Sequence, residues 1–474
     1  MSDKSSLLPQ DHIVDESSLR YMLKLAAPMV VTTISFTIMQ FVDRYMVSRL
    51  GTEALAAILP AGFASFLPSG FAIGAMASLS TFVSQSLGRG DKKSCSNYFW
   101  QTIYIGLAYF LLVVAIMWPT APWIFKLMGQ PEAVAEMEVI YFRIILYAHI
   151  LAVINWSANQ FFMGIHRPSI TMFASLCGQV VNVGANYILI FGKLGFPAMG
   201  IAGAGWGTFI GIAVGASINM AVFLSRGMNK AFQTRRAVYL DFVKMVDLLK
   251  VGLPAGFGLM VNVAFWGMIL FWLVGRFGTE ALAATSAVLS YTSLSVMPIV
   301  GIGTALAAAV GKTIGAGRKE LATRQTRVCL RVALVYMGFV GISFFVFRDA
   351  LMAFWSSDEE VIKVGTNILI CAAIYQVFHA ARVIYGGSLR GAGDTLWLAI
   401  VSAVGVVILG LGGLLIVTLF GQFEALGPWM VATISIIAVG LANYWRFKSN
   451  RWMKIDLFKQ RPVGVPVDTG AVVE

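Results

Sequence analysis

The chain has 474 residues, 58% of them hydrophobic and only 12% charged, with a mean hydropathy of +0.78, whereas a soluble globular protein carries about 25% charged residues. A water-soluble fold is thereby set aside. The net charge of +12 comes from 35 Lys and Arg against 23 Asp and Glu, and in so apolar a chain it reads as loop charge at a membrane surface rather than a nucleic-acid site. The apolar runs are long and unbroken, unlike the alternating stretches of about 10 residues that build a membrane barrel. Each is long enough for a helix of about 20 residues to cross the hydrocarbon. The expected class is an all-α polytopic membrane protein.

In chain order, residues 1–24 read as a cytosolic tail: Asp11, Asp15 and Glu16 replace the basic start and apolar core of a cleaved signal. Apolar runs then predict twelve helices, at 25–48, 55–85, 98–118, 139–163, 170–191 and 200–224, and at 251–274, 281–311, 328–347, 364–387, 396–420 and 426–446. Pro60, Pro68 and Pro298 fall inside the second and eighth spans, where each removes a helical hydrogen bond and marks a candidate hinge. Gly88-Arg89-Gly90 and Gly315-Ala316-Gly317 follow those same spans and are expected to form tight turns. Between the sixth and seventh spans, Ser225 to Lys250 is the longest hydrophilic interruption and reads as a linker, followed after the last span by a tail at 447–474. With the first residue inside, 26 Lys and Arg fall on inner segments and 7 on outer ones, leaving Arg143 and Arg382 in spans. The positive-inside rule then places both termini in the cytosol and the chain as a multi-pass protein in the cell (inner) membrane.

An internal repeat divides the chain. Gly51-Thr52-Glu53-Ala54-Leu55-Ala56-Ala57 returns unchanged as Gly278-Thr279-Glu280-Ala281-Leu282-Ala283-Ala284, an offset of 227, and Pro28 meets Pro254 at 226. Six spans per copy make the repeats parallel, related by a pseudo-twofold axis along the membrane normal. The expected lobes are 25–224 and 251–446, two six-helix bundles facing a central cavity and able to rock about it.

Charge scarcity points to a site. Of the 23 acidic residues, 22 fall in loops, tails or helix ends, and Asp43 alone lies within a predicted span. An ionised carboxylate at the bilayer centre costs about 2.5–3.5 kcal/mol even on insertion scales, so such a residue usually faces a cavity and handles ions or protons. The competing role is a structural ion pair with Arg143 or Arg382. Asn182 and Asn186, four apart, share one face of the fifth helix, where their amide oxygens could ligate a hard cation beside Asp43. The alternative for them is interhelical hydrogen bonding. Cys95, Cys177, Cys329 and Cys371 form no CxxC or Cys/His cluster, and no GxxxxGK[ST] loop occurs, so neither zinc nor ATP has a motif. Histidines at 12, 149, 166 and 379 gather no catalytic cluster, and enzyme activity is not expected.

Further residues carry a family likeness. Met39-Gln40-Phe41-Val42-Asp43-Arg44, Tyr141-Phe142-Arg143-Ile144, Asn182-Val183-Gly184-Ala185-Asn186-Tyr187 and Leu389-Arg390-Gly391-Ala392-Gly393-Asp394-Thr395 resemble the multidrug and toxic compound extrusion (MATE) transporters, in particular the NorM-like branch. The resemblance runs from Leu25 to about Arg446. It implies export of amphipathic, often cationic, organic compounds by alternating access, coupled to H+ or Na+, with no cofactor and with a monomer in contact with membrane lipids. It also implies an amino-lobe ion or proton site, with Thr208 of the sixth span joining Asp43, Asn182 and Asn186 and with Gln40 as a further candidate; sodium, if used, would sit at Asp43, Asn182 and Asn186. The carboxyl lobe departs from the pattern, with Asn262 in place of a glutamate and His379 in place of an aspartate, while Tyr375 matches. A sodium site there is therefore not expected, and His379, able to titrate near neutral pH, is kept as a secondary proton or substrate residue. For a drug cavity with aromatic and methionine walls, Met260, Phe265 and Trp266 around Asn262, together with Tyr291, Met297, Tyr375 and Gln376, are the candidates. The competing function is a lipid-linked oligosaccharide flippase, which would need a cationic cavity, whereas only Arg143 and Arg382 lie within predicted spans.

Overall fold

The computed structural model describes residues 18–127, 131–419 and 423–458, so most of the predicted N-terminal tail and the end of the C-terminal one lie outside the described residues. Among the described residues there is no strand. The helices of the first half are α1 (Leu19–Ser48), α2 (Thr52–Met76), α3 (Ser78–Gly88), α4 (Lys92–Leu127), α5 (Glu132–Gly164), α6 (Ser169–Phe191) and α7 (Ile201–Phe223). A short α8 (Arg226–Phe232) leads to α9 (Phe242–Ala264), which continues through a π-helical turn at Phe265–Ile269 into α10 (Leu270–Val274). Then follow α11 (Thr279–Gly315), α12 (Lys319–Val346), α13 (Arg348–Trp355), α14 (Glu359–Ala392), α15 (Thr395–Leu419) and α16 (Leu426–Lys448).

Among the described residues eleven helices are long and apolar enough to cross a membrane, and the bent pair Ala56–Phe66 and Pro68–Gly88 brings the number to twelve when counted as one span. That pair turns by 44° at Pro68, where the ring removes a backbone donor. Pro298 sits in an unbroken helix, since α11 runs through it from Thr279 to Gly315. The seventh span starts at Phe242 rather than 251, because Asp241 caps it by accepting from the Lys244 amide. Ahead of that cap the linker is strapped to α4. Asn97 donates to the Ala237 and Tyr239 carbonyls, Trp100 to Thr234 and Gln101 to Tyr239.

Within the first lobe α5 and α6 pack on α7, and within the second α11, α12 and α16 pack on α14. Each lobe has its own buried cluster, one around Phe82, Phe99, Phe161 and Phe223, the other around Leu273, Ile368, Tyr375 and Trp429. The leading helices cross over: the start of α1 packs on α11, and α9 packs on α2. The two crossings are repeat copies. A Cβ on Gly74 would lie 2.7 Å from the Gly256 Cα, and one on Gly301 would lie 2.8 Å from Val30 Cγ2, pairing positions 74 and 301 at the repeat offset.

Because the spans alternate direction, α3, α11 and α14 end on the face where α1 begins and α16 finishes. The lobes are bolted together on that side. Thr81 Oγ1 donates to the Arg390 carbonyl at 2.9 Å, Gln85 Nε2 to the Gly391 carbonyl at 2.9 Å, and His166 Nε2 lies 3.2 Å from the Ala308 carbonyl. Gly88 packs on the Lys312 carbonyl and Gly315 on the Gln85 carbonyl, so closely that a Cβ on either would overlap that oxygen.

Candidate functional site

The first lobe assembles the predicted polar cluster. Asn186 Nδ2 donates to Asp43 Oδ1 at 2.7 Å, and Asn182 Nδ2 reaches Thr208 Oγ1 at 3.4 Å. A long contact of 3.5 Å joins Asn186 Nδ2 to Asn182 Oδ1, while Thr208 Oγ1 donates to the Ala204 carbonyl. Asn182 and Asn186 are fully buried and Asp43 half-buried. Gln40, also half-buried on α1, makes no hydrogen bond among the described residues. Neither candidate arginine meets Asp43: Arg143 Nε donates to the Trp118 carbonyl and its guanidinium stacks 4.1 Å from the Trp118 ring centroid, while Arg382 faces His379. Among the described residues Asp43 therefore has an amide partner and no cation.

Glycines let this cluster close. A Cβ on Gly207 would overlap Asn186 Oδ1, and one on Gly211 would lie 2.6 Å from the Asn182 Cβ, so α7 meets α6 on its bare face. Asn186 Oδ1 is buried without a partner. One carboxylate, that free amide oxygen and the Thr208 hydroxyl form an oxygen-rich donor set suited to a small hard cation. As arranged, however, Asn186 presents its NH2 to Asp43, which holds an ionised carboxylate without any metal.

The second lobe holds a cavity of about 800 Å³ lined by α9, α11, α14, α15 and α16, with only Ile73, Gly74 and Ala77 contributed by the first lobe. Of the candidate substrate residues, Asn262, Trp266, Met297, Tyr375 and His379 line it. Four other predicted residues lie off it. Met260 packs toward Gly70 of α2, Phe265 lines a small neighbouring crevice, Tyr291 donates to the Leu351 carbonyl, and Gln376 donates to Ser295 Oγ. Helical phase accounts for this placement, since their side chains leave α9, α11 and α14 on other faces than those of Asn262, Met297 and Tyr375.

Charge distinguishes this cavity. Its lining includes Arg382, Arg390 and His379 and no carboxylate. Arg382 Nη1 donates to His379 Nε2 at 3.3 Å, which makes that imidazole the acceptor and leaves its Nδ1 buried without a partner. Beneath it the nearby acid is taken, with Arg446 Nε and Nη2 gripping Asp394 at 2.7 and 3.3 Å.

The family model for MatE matches residues 28–188 and again 254–414, one copy per lobe. The chain belongs to the MATE family. Among similar sequences, the probable multidrug resistance proteins NorM of Chromobacterium violaceum and Mesorhizobium japonicum are 29% and 28% identical. They cover 91% and 92% of this chain, and 94% of each of those proteins is matched. A solved outward-facing multidrug resistance MATE transporter of the MOP superfamily superposes with a TM-score of 0.82 at 20% identity, covering 92% of this chain and 96% of that one. Within the family it is NorM-like.

Two features of this MATE transporter were missed in its sequence. Arg390 lies beyond the predicted tenth span at 364–387, but α14 runs on to Ala392 and carries it into the cavity wall. Glu138, placed just before the fourth span, lies inside α5, fully buried, with neither carboxylate oxygen partnered. Asp43 is therefore not alone among acids inside a helix of the first lobe.

Proposed function

We propose that this transporter is a secondary antiporter of the inner membrane that exports amphipathic organic compounds in exchange for H+ or Na+ by alternating access, with both termini cytosolic. The observation that carries the reading is the separation of two sites: a cation-free Asp43 held by Asn186 in one lobe, and a large apolar and aromatic cavity in the other. An ion taken up by Asp43 neutralises it and weakens the Asn186 bond, since a charge-assisted hydrogen bond is worth about 1.5–3 kcal/mol. That alters how α1 sits on α6, and α1 also packs on α11 of the other lobe. The seal through Gly88 and Gly315, on the cytosolic side in this topology, favours a cavity that communicates outward. Lobes 25–224 and 251–446, joined by the strapped segment 225–250, are the moving bodies, with Pro60, Pro68 and Pro298 as hinge positions. Sodium, if it is the coupling ion, would be held by Asp43, Asn182, Asn186 and Thr208, supplying a charge that replaces the amide proton donor.

In proteoliposomes with separately imposed pH and sodium gradients, the intact protein moves substrate under one of them, and Asp43→Asn loses gradient-driven transport by about 100-fold while Asp43→Glu keeps part of it. Undiminished transport by Asp43→Asn at equal insertion would refute the coupling role. The flippase reading gains one observation, the two arginines in the cavity. Cellular retention of two amphipathic dyes, cationic ethidium and an anionic one, with and without a protonophore, separates the readings, because only the antiporter lowers either in a gradient-dependent way.

A further inference from the structure

The cavity is graded along its length. Trp266, Phe271, Leu289 and Tyr375 wall the half away from the chain termini; Arg382, Arg390 and Asn443 wall the half toward them. Arg382 and Arg390 lie on one helix, about 12 Å apart along its axis by the rise of 1.5 Å per residue. Arg382 has a neutral imidazole as its side-chain partner, and among the described residues the Arg390 guanidinium has no hydrogen bond or ion pair. Asp394 is already gripped by Arg446, and Asp43 stands in the other lobe on Asn186. Asn443 Oδ1 and His379 Nδ1 are likewise buried and unpartnered. Uncompensated charge inside a membrane protein is costly, and the guanidinium fork matches carboxylate, sulfonate and phosphate oxygens in bidentate geometry.

We propose that this cavity is an anion-accepting site, taking amphiphiles with an acidic head and an apolar or aromatic body: Arg382 and Arg390 hold the head, and the Trp266–Tyr375 half takes the body. The charge of the transported compound is thereby opposite to the organic cations expected from family likeness. The inference rests on the transporter reading only in making this cavity the substrate site.

The test uses the full chain in zwitterionic phosphatidylcholine nanodiscs and two dansyl probes with one alkyl chain, ending in a sulfonate or a trimethylammonium, with binding read by equilibrium dialysis. The sulfonate is expected to bind at least about tenfold more tightly. Arg382→Gln and Arg390→Gln each weaken it about fivefold or more without weakening the ammonium, whereas Arg382→Lys and Arg390→Lys keep most of the preference. Two separate positions and their lysine variants keep the test decisive if one glutamine variant does not fold. Tighter ammonium binding, or sulfonate binding unmoved by well-folded glutamine variants, overturns the anion site. Replacing part of the lipid with phosphatidylglycerol identifies the source of the head group: displacement of the sulfonate assigns the site to an anionic lipid, and no displacement to a free solute. Since binding needs no gradient, arginine-dependent sulfonate binding without gradient-driven transport counts against the antiporter alone.

Discussion

At the scale of single residues, the first-lobe cluster depends as much on an absent side chain as on its polar groups. Gly207 has no Cβ to occupy the position of Asn186 Oδ1, whereas the space around Gly184 on α6 is open. Overpacking a tight contact costs about 1–3 kcal/mol. Gly207→Ala is therefore expected to lower the thermal midpoint by several degrees and to push Asn186 off Asp43, cutting gradient-driven transport while leaving probe binding in the second lobe intact. Gly184→Ala, which adds a methyl to open space in a helix, is expected to keep both, and equal behaviour of the two variants would contradict the packing argument. Asp43 was legible in the sequence because a carboxylate inside an apolar run is conspicuous, and Asn182 with Asn186 because four-residue spacing fixes a shared face. Gly207 was not, since what a glycine does depends on which helix opposes it. Glu138 was hidden by a span boundary one residue too late, amid Glu132 and Glu136 at the start of α5.

At the scale of elements, two glycine motifs that look alike in sequence divide their work. Gly90 and Gly317 turn the chain in the left-handed region, at φ +81° and +75°, as expected of tight turns. Gly88 and Gly315 are the last residues of α3 and α11, and they are small because the opposite lobe's backbone lies against them. A methyl at either place meets a carbonyl oxygen rather than a flexible side chain, so relief requires the lobes to part. An alanine at Gly315 that costs about 1–3 kcal/mol in the sealed state shifts the sealed-to-parted ratio by roughly 5–150-fold. Spin labels on exposed Lys92 and Glu320 report this as a growing long-distance population in Gly315→Ala, with Gly317→Ala as a control that strains only a turn. An unchanged distance distribution in Gly315→Ala would show that the seal tolerates the methyl. Periodicity placed the spans well but could not reveal the π-helical turn at Phe265–Ile269 or the extension of α14 to Ala392, because neither breaks the apolar pattern.

At the scale of the whole molecule, the repeat was readable from seven identical residues, and the crossing of its leading helices was not. Sequence similarity says that two halves are alike and nothing about which half each first helix serves. In the structure the start of α1, through Met22, Leu25 and Ala26, joins a buried cluster with Ile299, Leu306 and Ile384 of the second lobe. The copy relation sends α9 the opposite way, where Leu248 and Val251 join the first lobe's cluster. Each lobe is thus completed by the other's leading helix, and the linker contributes docking on α4 rather than the main cohesion. A protease site inserted between the exposed residues Arg235 and Arg236 is therefore expected to cut the chain without separating the halves. After cleavage in mild detergent the two fragments should elute as one particle of the uncut size and keep their bound probe, since apolar burial at the crossings continues to hold them at about 25 cal/mol per Å². Fragments that elute apart would mean that the covalent linker, and not the exchanged helices, keeps the lobes in register.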